Sequence, residues 1–98
     1  MSFTQTMAVE ADDADSIADL IREWHREQAG VAPGYRGGRV LADLDQPGRY
    51  VIEIDFTSEA EARENSDRPE TQRWADSLRA LAKTAPTYHN YAVSYTTD

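Results

Sequence analysis

"RYVIEIDF", residues 49–56, decides how this chain folds. Successive strand side chains point to opposite faces, so Tyr50, Ile52, Ile54 and Phe56 form one row and Val51, Glu53 and Asp55 the other. The first row is wholly apolar or aromatic and belongs beneath helices. The stretch just before it, "DQPG" (45–48), is turn chemistry, and "YRGGRVLADL" (35–44) reads as a partner strand. Residues 35–56 are therefore a hairpin.

Outward from the hairpin, "FTQTMAVE" (3–10) alternates and reads as a first strand. "DDADS" (12–16) supplies Asp13 or Asp15 as a helix cap, and Ile17, Leu20, Ile21 and Trp24 then follow the i, i+3, i+4, i+7 pattern of one helix face. Gly30 is a fitting stop. After the hairpin, Ser58 with Glu61 has the capping-box spacing and opens a short helix. "NSDRP" (65–69) interrupts it. Asp67 with Glu70 repeats the spacing and starts another helix, with a buried stripe of Trp74, Leu78 and Leu81. "TYHNYAVSY" (87–95) is the fourth strand. The order is β-α-β-β-α-β with the second helix broken once, which is the ferredoxin-like order: an α+β fold with a four-stranded antiparallel sheet and its helices on one face.

At 98 residues the chain makes one domain, 1–98. A net charge of −8 argues against a nucleic-acid partner, because phosphate binding runs on Lys and Arg, and against anionic membrane surfaces. No apolar run approaches the roughly 18 residues of a membrane span. "MSFTQTMAVE" lacks the basic and apolar regions of a signal peptide, so the expected location is cytoplasmic. With no cysteine there is no disulfide frame and no thiol nucleophile.

The other sheet face is left bare, and strand four carries no charge in either of its rows, His89/Tyr91/Val93/Tyr95 and Tyr88/Asn90/Ala92/Ser94. The economical reading covers one side of this strand with helices and the other with a second copy of the sheet, giving a homodimer packed face to face.

The element order, "PGYRGGRVL" after the first helix, "RYVIEIDFTSEAEA" and the break "NSDRPETQRW" together resemble the antibiotic biosynthesis monooxygenase (ABM) family of the dimeric α/β barrel superfamily, over nearly the whole chain. The resemblance implies a pocket between sheet and helices in each subunit. It also implies oxidation of an aromatic or enolisable small molecule without metal or flavin. Such chemistry asks the protein to bind the substrate, help remove a proton and exclude water. Quinone-forming members place an Asn and a Trp on strand three; those positions are Ile52 and Phe56 here, which makes both pocket-lining. The Asn of strand one and the Trp of the first part of helix two that haem-degrading members use are missing. Also missing is the His of the second part of helix two, so a haem-degrading role is not expected. The alternatives are a non-catalytic homodimeric metabolite-binding domain, and an isomerase or dehydratase on the same fold.

Within that frame, His25 or His89 is the candidate base, since histidine titrates in the useful range. Trp74 is the candidate aromatic wall, and Tyr50 and Asn65 the orienting groups. Each has a plainer alternative. His25 sits between Glu23 and Glu27 on what also reads as a solvated helix edge. Trp24 and Trp74 fit an ordinary core, Tyr50 fits a strand anchor, and Asn65 fits a backbone cap at the helix break. His89, Tyr91 and Gln5 belong either to the pocket or to the dimer seam. "GYRGGRV" lacks phosphate-loop spacing and opens a strand, so its glycines are read as permitting a bulge or a close strand approach, and Arg36 and Arg39 as partners of Glu53 or Asp55. Two histidines so far apart make no metal site, and no cofactor is expected.

Overall fold

The computed structural model describes residues 2–97. The elements are β1 (Phe3–Glu10), α1 (Ala14–Gln28), β2 (Tyr35–Ala42), β3 (Arg49–Phe56), α2 (Glu59–Ser66), α3 (Pro69–Leu81) and β4 (Thr87–Ala92). The four strands form one sheet in the order β2-β3-β1-β4, with every neighbouring pair antiparallel. This is the ferredoxin-like α+β arrangement, its second helix divided in two.

The local chemistry explains the boundaries. Asp13, rather than Asp15, caps α1, its carboxylate accepting from the Ser16 N–H at 2.7 Å. Ser58 caps α2 by accepting from the Glu61 N–H at 3.2 Å. The division between α2 and α3 differs from the expected cap at Asp67. Asp67 closes α2, and Arg68 precedes α3 without any side-chain cap. Proline explains the shift: it forces the residue before it into extended backbone, and Arg68 sits at φ −77°, ψ 140°. Pro69 then opens α3, where its missing N–H leaves nothing unsatisfied.

The β3 row read from the sequence lies under the helices: Ile52, Ile54 and Phe56 are buried and Tyr50 is half-buried. Phe3, Met7 and Val9 of β1 join them, with Ile17 and Ile21 of α1 and Leu78 of α3. Of the stripe expected on α3, Leu78 is fully enclosed, Trp74 is half-buried, and Leu81 in the last turn is 39 % exposed. The glycines of β2 serve the purpose expected of them. The β2–β3 register shifts between Tyr35 and Gly37, and a Cβ at Gly38 would lie 2.7 Å from Ile54 Cδ1 and 2.9 Å from the Glu53 carbonyl oxygen.

One expectation is corrected. The helices do not cover β4, whose six residues are all exposed. α1 packs against β2 and α2 against β3, so the helical layer leans away from the β4 edge. The β1–β4 register also assigns the two rows of β4. Met7 pairs with Tyr88 and Gln5 with Asn90, which puts Tyr88 and Asn90 on the helix side. Thr6 pairs with His89 and Thr4 with Tyr91, so these two lie on the open face, their rings stacked with centroids 6.3 Å apart. Arg39 and Glu53 form an ion pair at 2.6 Å on the same face, and the Thr4 hydroxyl donates to Asp55 at 2.7 Å.

Candidate functional site

Two spaces meet at a pair of tryptophans. α1 carries Trp24 as the third member of its buried series Ile17, Ile21, Trp24, Gln28, and α3 carries Trp74 opposite it. Their ring centroids are 5.9 Å apart with the planes inclined at 59°, a favourable tilted contact. Trp74 is held by its indole N–H, which donates to the Leu20 carbonyl at 3.2 Å. Trp24 is 6 % exposed and its indole N–H has no hydrogen-bond partner among the described residues. An enclosed donor without a partner is uncommon and costly, of order 1–3 kcal/mol.

The inner space lies between sheet and helices, with about 30 Å³ of room. Met7, Ile54 and Phe56 form its apolar floor, the two tryptophans its wall, and Gln5, Asn65 and Thr71 its polar groups. The outer space is a cleft of about 210 Å³ between α1 and α3, lined by the edges of the same two tryptophans and by Glu23, Glu27, Glu70 and Arg73. Three carboxylates against one guanidinium make the cleft acidic. The Glu70 carboxyl is held below the usual carboxylate range, first by its own backbone N–H at the start of α3 and then by the Arg68 and Arg73 guanidiniums.

Asn65 is 4 % exposed at the end of α2. Its Oδ1 accepts from Arg68 Nη1 at 3.2 Å and from the Thr71 hydroxyl at 3.1 Å. With the oxygen taken, the amide NH₂ is the end left to serve the cavity. Arg68 also donates to Gln28 Oε1 at 2.9 Å and to Glu70 Oε2 at 2.7 Å. One guanidinium therefore ties α1, α2 and α3 together behind the cavity. The Asn65 side chain thus bonds other side chains across the α2–α3 elbow, and only its backbone carbonyl takes part in closing α2.

The residues singled out in the sequence divide between places. Phe56, Asn65 and Trp74 share the inner cavity. Ile52 is fully enclosed in the core one pleat further along β3, and its place beside the cavity is taken by Ile54. Tyr50 packs against the core near the opposite end of the strand. His25 is exposed on α1, its Nδ1 2.7 Å from the Tyr35 hydroxyl, and lines neither space. His89 lies on the open sheet face. Gln5 is on the helix side, its amide donating to Asn90 Oδ1 at 3.2 Å. The bonding network of Gln28, Arg68 and Thr71 was not anticipated, although Gln28 continues the α1 series at i+4 from Trp24. Among the described residues no group of three or more His, Asp or Glu is arranged to hold a metal ion. No described helix is long and apolar enough to cross a membrane.

No protein-family model matches the sequence, and neither does any curated protein. Solved structures do match. SnoaB, a cofactor-independent oxygenase from Streptomyces nogalater, superposes with a TM-score of 0.76 at 17 % identity, over 97 % of this chain and 94 % of that one. A protein from Nitrosomonas europaea, named as a candidate antibiotic biosynthesis monooxygenase, gives 0.74 at 18 % identity over 99 % and 94 %. Rv0793 from Mycobacterium tuberculosis gives 0.77 at 11 % identity, with both chains covered completely. The resemblance drawn from the sequence thus extends to the three-dimensional fold, and at these identities it is a likeness of fold.

Proposed function

We propose that this protein is an ABM-type monooxygenase that oxidises an aromatic or enolisable small molecule without a cofactor, with the substrate in the cleft between α1 and α3 and dioxygen in the space between sheet and helices. The observation that carries the reading is the Trp24–Trp74 pair with Asn65 beside it, set in a fold shared with a cofactor-independent oxygenase. The outer cleft, at about 210 Å³, has the room for a flat ring packed against Trp74, the half-buried member of the pair. At about 30 Å³ the inner cavity takes one molecule the size of water or dioxygen.

In this reading Glu23 or Glu27, carboxylates that line the cleft, takes a proton from the substrate. His25 and His89 lie outside both spaces, so the base is assigned to the cleft. The resulting anion is electron-rich enough to reduce dioxygen. A CH₂ group between aromatic rings becomes a carbonyl, one oxygen atom entering the product and the other leaving as water with the two hydrogens. The unpartnered Trp24 N–H and the Asn65 NH₂ supply donors where oxygen gains negative charge. The second reading is a metabolite-binding domain without turnover. It is favoured by Ile52 and Phe56, which stand where quinone-forming members carry Asn and Trp. Both readings include a homodimer through the open sheet face, where Tyr91 is 52 % and Leu41 38 % exposed.

The test is oxygen uptake with a polycyclic phenol in air, followed by the quinone absorbance. Trp74→Ala is expected to lower turnover at least tenfold, about 1.4 kcal/mol of transition-state stabilisation, while the circular dichroism is unchanged. A substrate that binds and returns intact would replace the first reading by the second. Unchanged turnover would remove Trp74 from the site.

A further inference from the structure

The aromatic side chains around the cavity continue beyond it in an unbroken series. From Trp74 the ring centroids step 5.9 Å to Trp24, 6.2 Å to Tyr35 and 5.7 Å to His25. All three steps lie within the range of direct ring contact. The series begins at the wall shared by both spaces and ends at an exposed histidine on α1.

The proton acceptors along the series differ in a way that gives it a direction. A one-electron-oxidised indole is far more acidic than the neutral ring and holds its charge only if no base takes the N–H proton. Among the described residues Trp24 has no acceptor, and the acceptor of Trp74 is an amide carbonyl, which is not a base at ordinary pH. Tyr35 is the exception, with its hydroxyl 2.7 Å from His25 Nδ1. A neutral imidazole protonated at Nε2 accepts there, so the phenol can release its electron and its proton together. Burial pushes the Tyr35 phenol pKa up, which disfavours loss of the proton alone.

We propose that Trp74, Trp24, Tyr35 and His25 form a path that carries oxidising equivalents out of the cavity to the protein surface. In the balanced sequence a one-electron oxidant takes one electron from a cavity tryptophan and is itself reduced. The indole radical cation then takes an electron from Tyr35. The Tyr35 O–H bond breaks, its proton passes to His25 Nδ1, and a neutral phenoxyl radical and an imidazolium remain. A thiolate reductant at the surface returns one electron to Tyr35 and becomes a thiyl radical, and the imidazolium returns the proton. As a safeguard against radicals formed during oxygen chemistry the path rests on the proposed function, and the oxidant is then a substrate-derived or oxygen-derived radical. Its capacity to conduct is a property of the chain alone.

The experiment therefore uses no substrate. The purified protein is oxidised by photogenerated tris(bipyridyl)ruthenium(III), with a nitroso spin trap present. Adducts at each tyrosine and oxidation of each tryptophan are then mapped by peptide mass spectrometry. The wild type is expected to carry the trap on Tyr35, although it is only partly exposed, and to keep both tryptophans largely intact. Tyr35→Phe retains the ring packing and is expected to raise oxidation at Trp24 and Trp74 several-fold. His25→Gln retains a hydrogen-bonding group but no comparable base, and is expected to do the same. Rescue by His25→Gln would mean that the histidine only positions the phenol and would overturn its role as proton acceptor. Tryptophan oxidation unchanged in both variants, with circular dichroism confirming the fold, would overturn the path. Either result leaves the oxygen-uptake assay to decide the proposed function separately.

Discussion

Replacing Arg68 with methionine removes the guanidinium that joins three helices and leaves its side-chain volume largely in place. Gln28 is 6 % exposed and its Oε1 receives the Arg68 bond. Without that donor the enclosed oxygen costs about 1–3 kcal/mol. Asn65 Oδ1 loses one bond and keeps the one from Thr71, a net loss of about 0.5–1.5 kcal/mol. The pair with Glu70 lies toward solvent and adds little. The expected destabilisation is about 2–4 kcal/mol. With a urea m-value near 2 kcal/mol/M, that moves the unfolding midpoint down by about 1–2 M. The protein concentration must be held fixed, because the proposed dimer would couple stability to it. Gln28→Met removes the orphaned oxygen, so the double variant should be more stable than the sum of the single costs predicts by about 1 kcal/mol. Strict additivity, or a cost for Arg68→Met below about 0.5 kcal/mol, would refute the claim that this guanidinium organises the elbow.

Leu78→Ala, at the fully enclosed position of α3, should cost about 2–5 kcal/mol in the same urea titration; a smaller loss would mean that the helix can settle into the space. Asp13→Asn tests the cap of α1 across pH. The Ser16 backbone N–H holds the Asp13 carboxyl below its usual range. Its charge-dependent stabilisation is therefore complete above the unfolded pKa of about 3.9 and lost as pH falls through the lower folded value. The advantage of the wild type over Asp13→Asn should shrink in acid, and a constant difference would show that the charge contributes nothing. If the proposed dimer forms through the open sheet face, light scattering should give a dimer for the wild type and a monomer for Leu41→Asp; a monomeric wild type would refute the dimer, and a dimer that persists in the variant would place the interface elsewhere.

The sequence was informative wherever one residue's neighbours along the chain decide its surroundings. "RYVIEIDF" carries its own face assignment in its alternation, and the α1 series carried far enough predicts even Gln28, a polar member of a buried stripe. Pro69 also fixes where α3 begins, a stronger determinant than the capping pattern of Asp67 and Glu70. The face of His89 and Tyr91 was not legible, because it is set by the β1–β4 register, and nothing local to β4 distinguishes its two rows. The exposure of β4 was misjudged for a similar reason. An uncharged strand tells what it avoids, and the placement of the helices over β2 and β3 decides what covers it. The Arg68 network depends on the angle of the α2–α3 elbow, which no residue spacing encodes.

The position of β1 between β3 and β4 has a consequence for synthesis. Gln5 and Asn90, opposite each other in the finished sheet, are 85 residues apart in the chain. At about 5–20 residues per second, roughly 4–17 s separate the emergence of the two strands. Once β3 has followed, β1 can pair with it, while the other edge of β1 still offers free N–H and C=O groups to any extended segment nearby until β4 arrives. The hairpin of β2 and β3 can close within microseconds of leaving the ribosome, so for this chain the slow step of exposure is translation itself. The last strand to arrive seals the first one made.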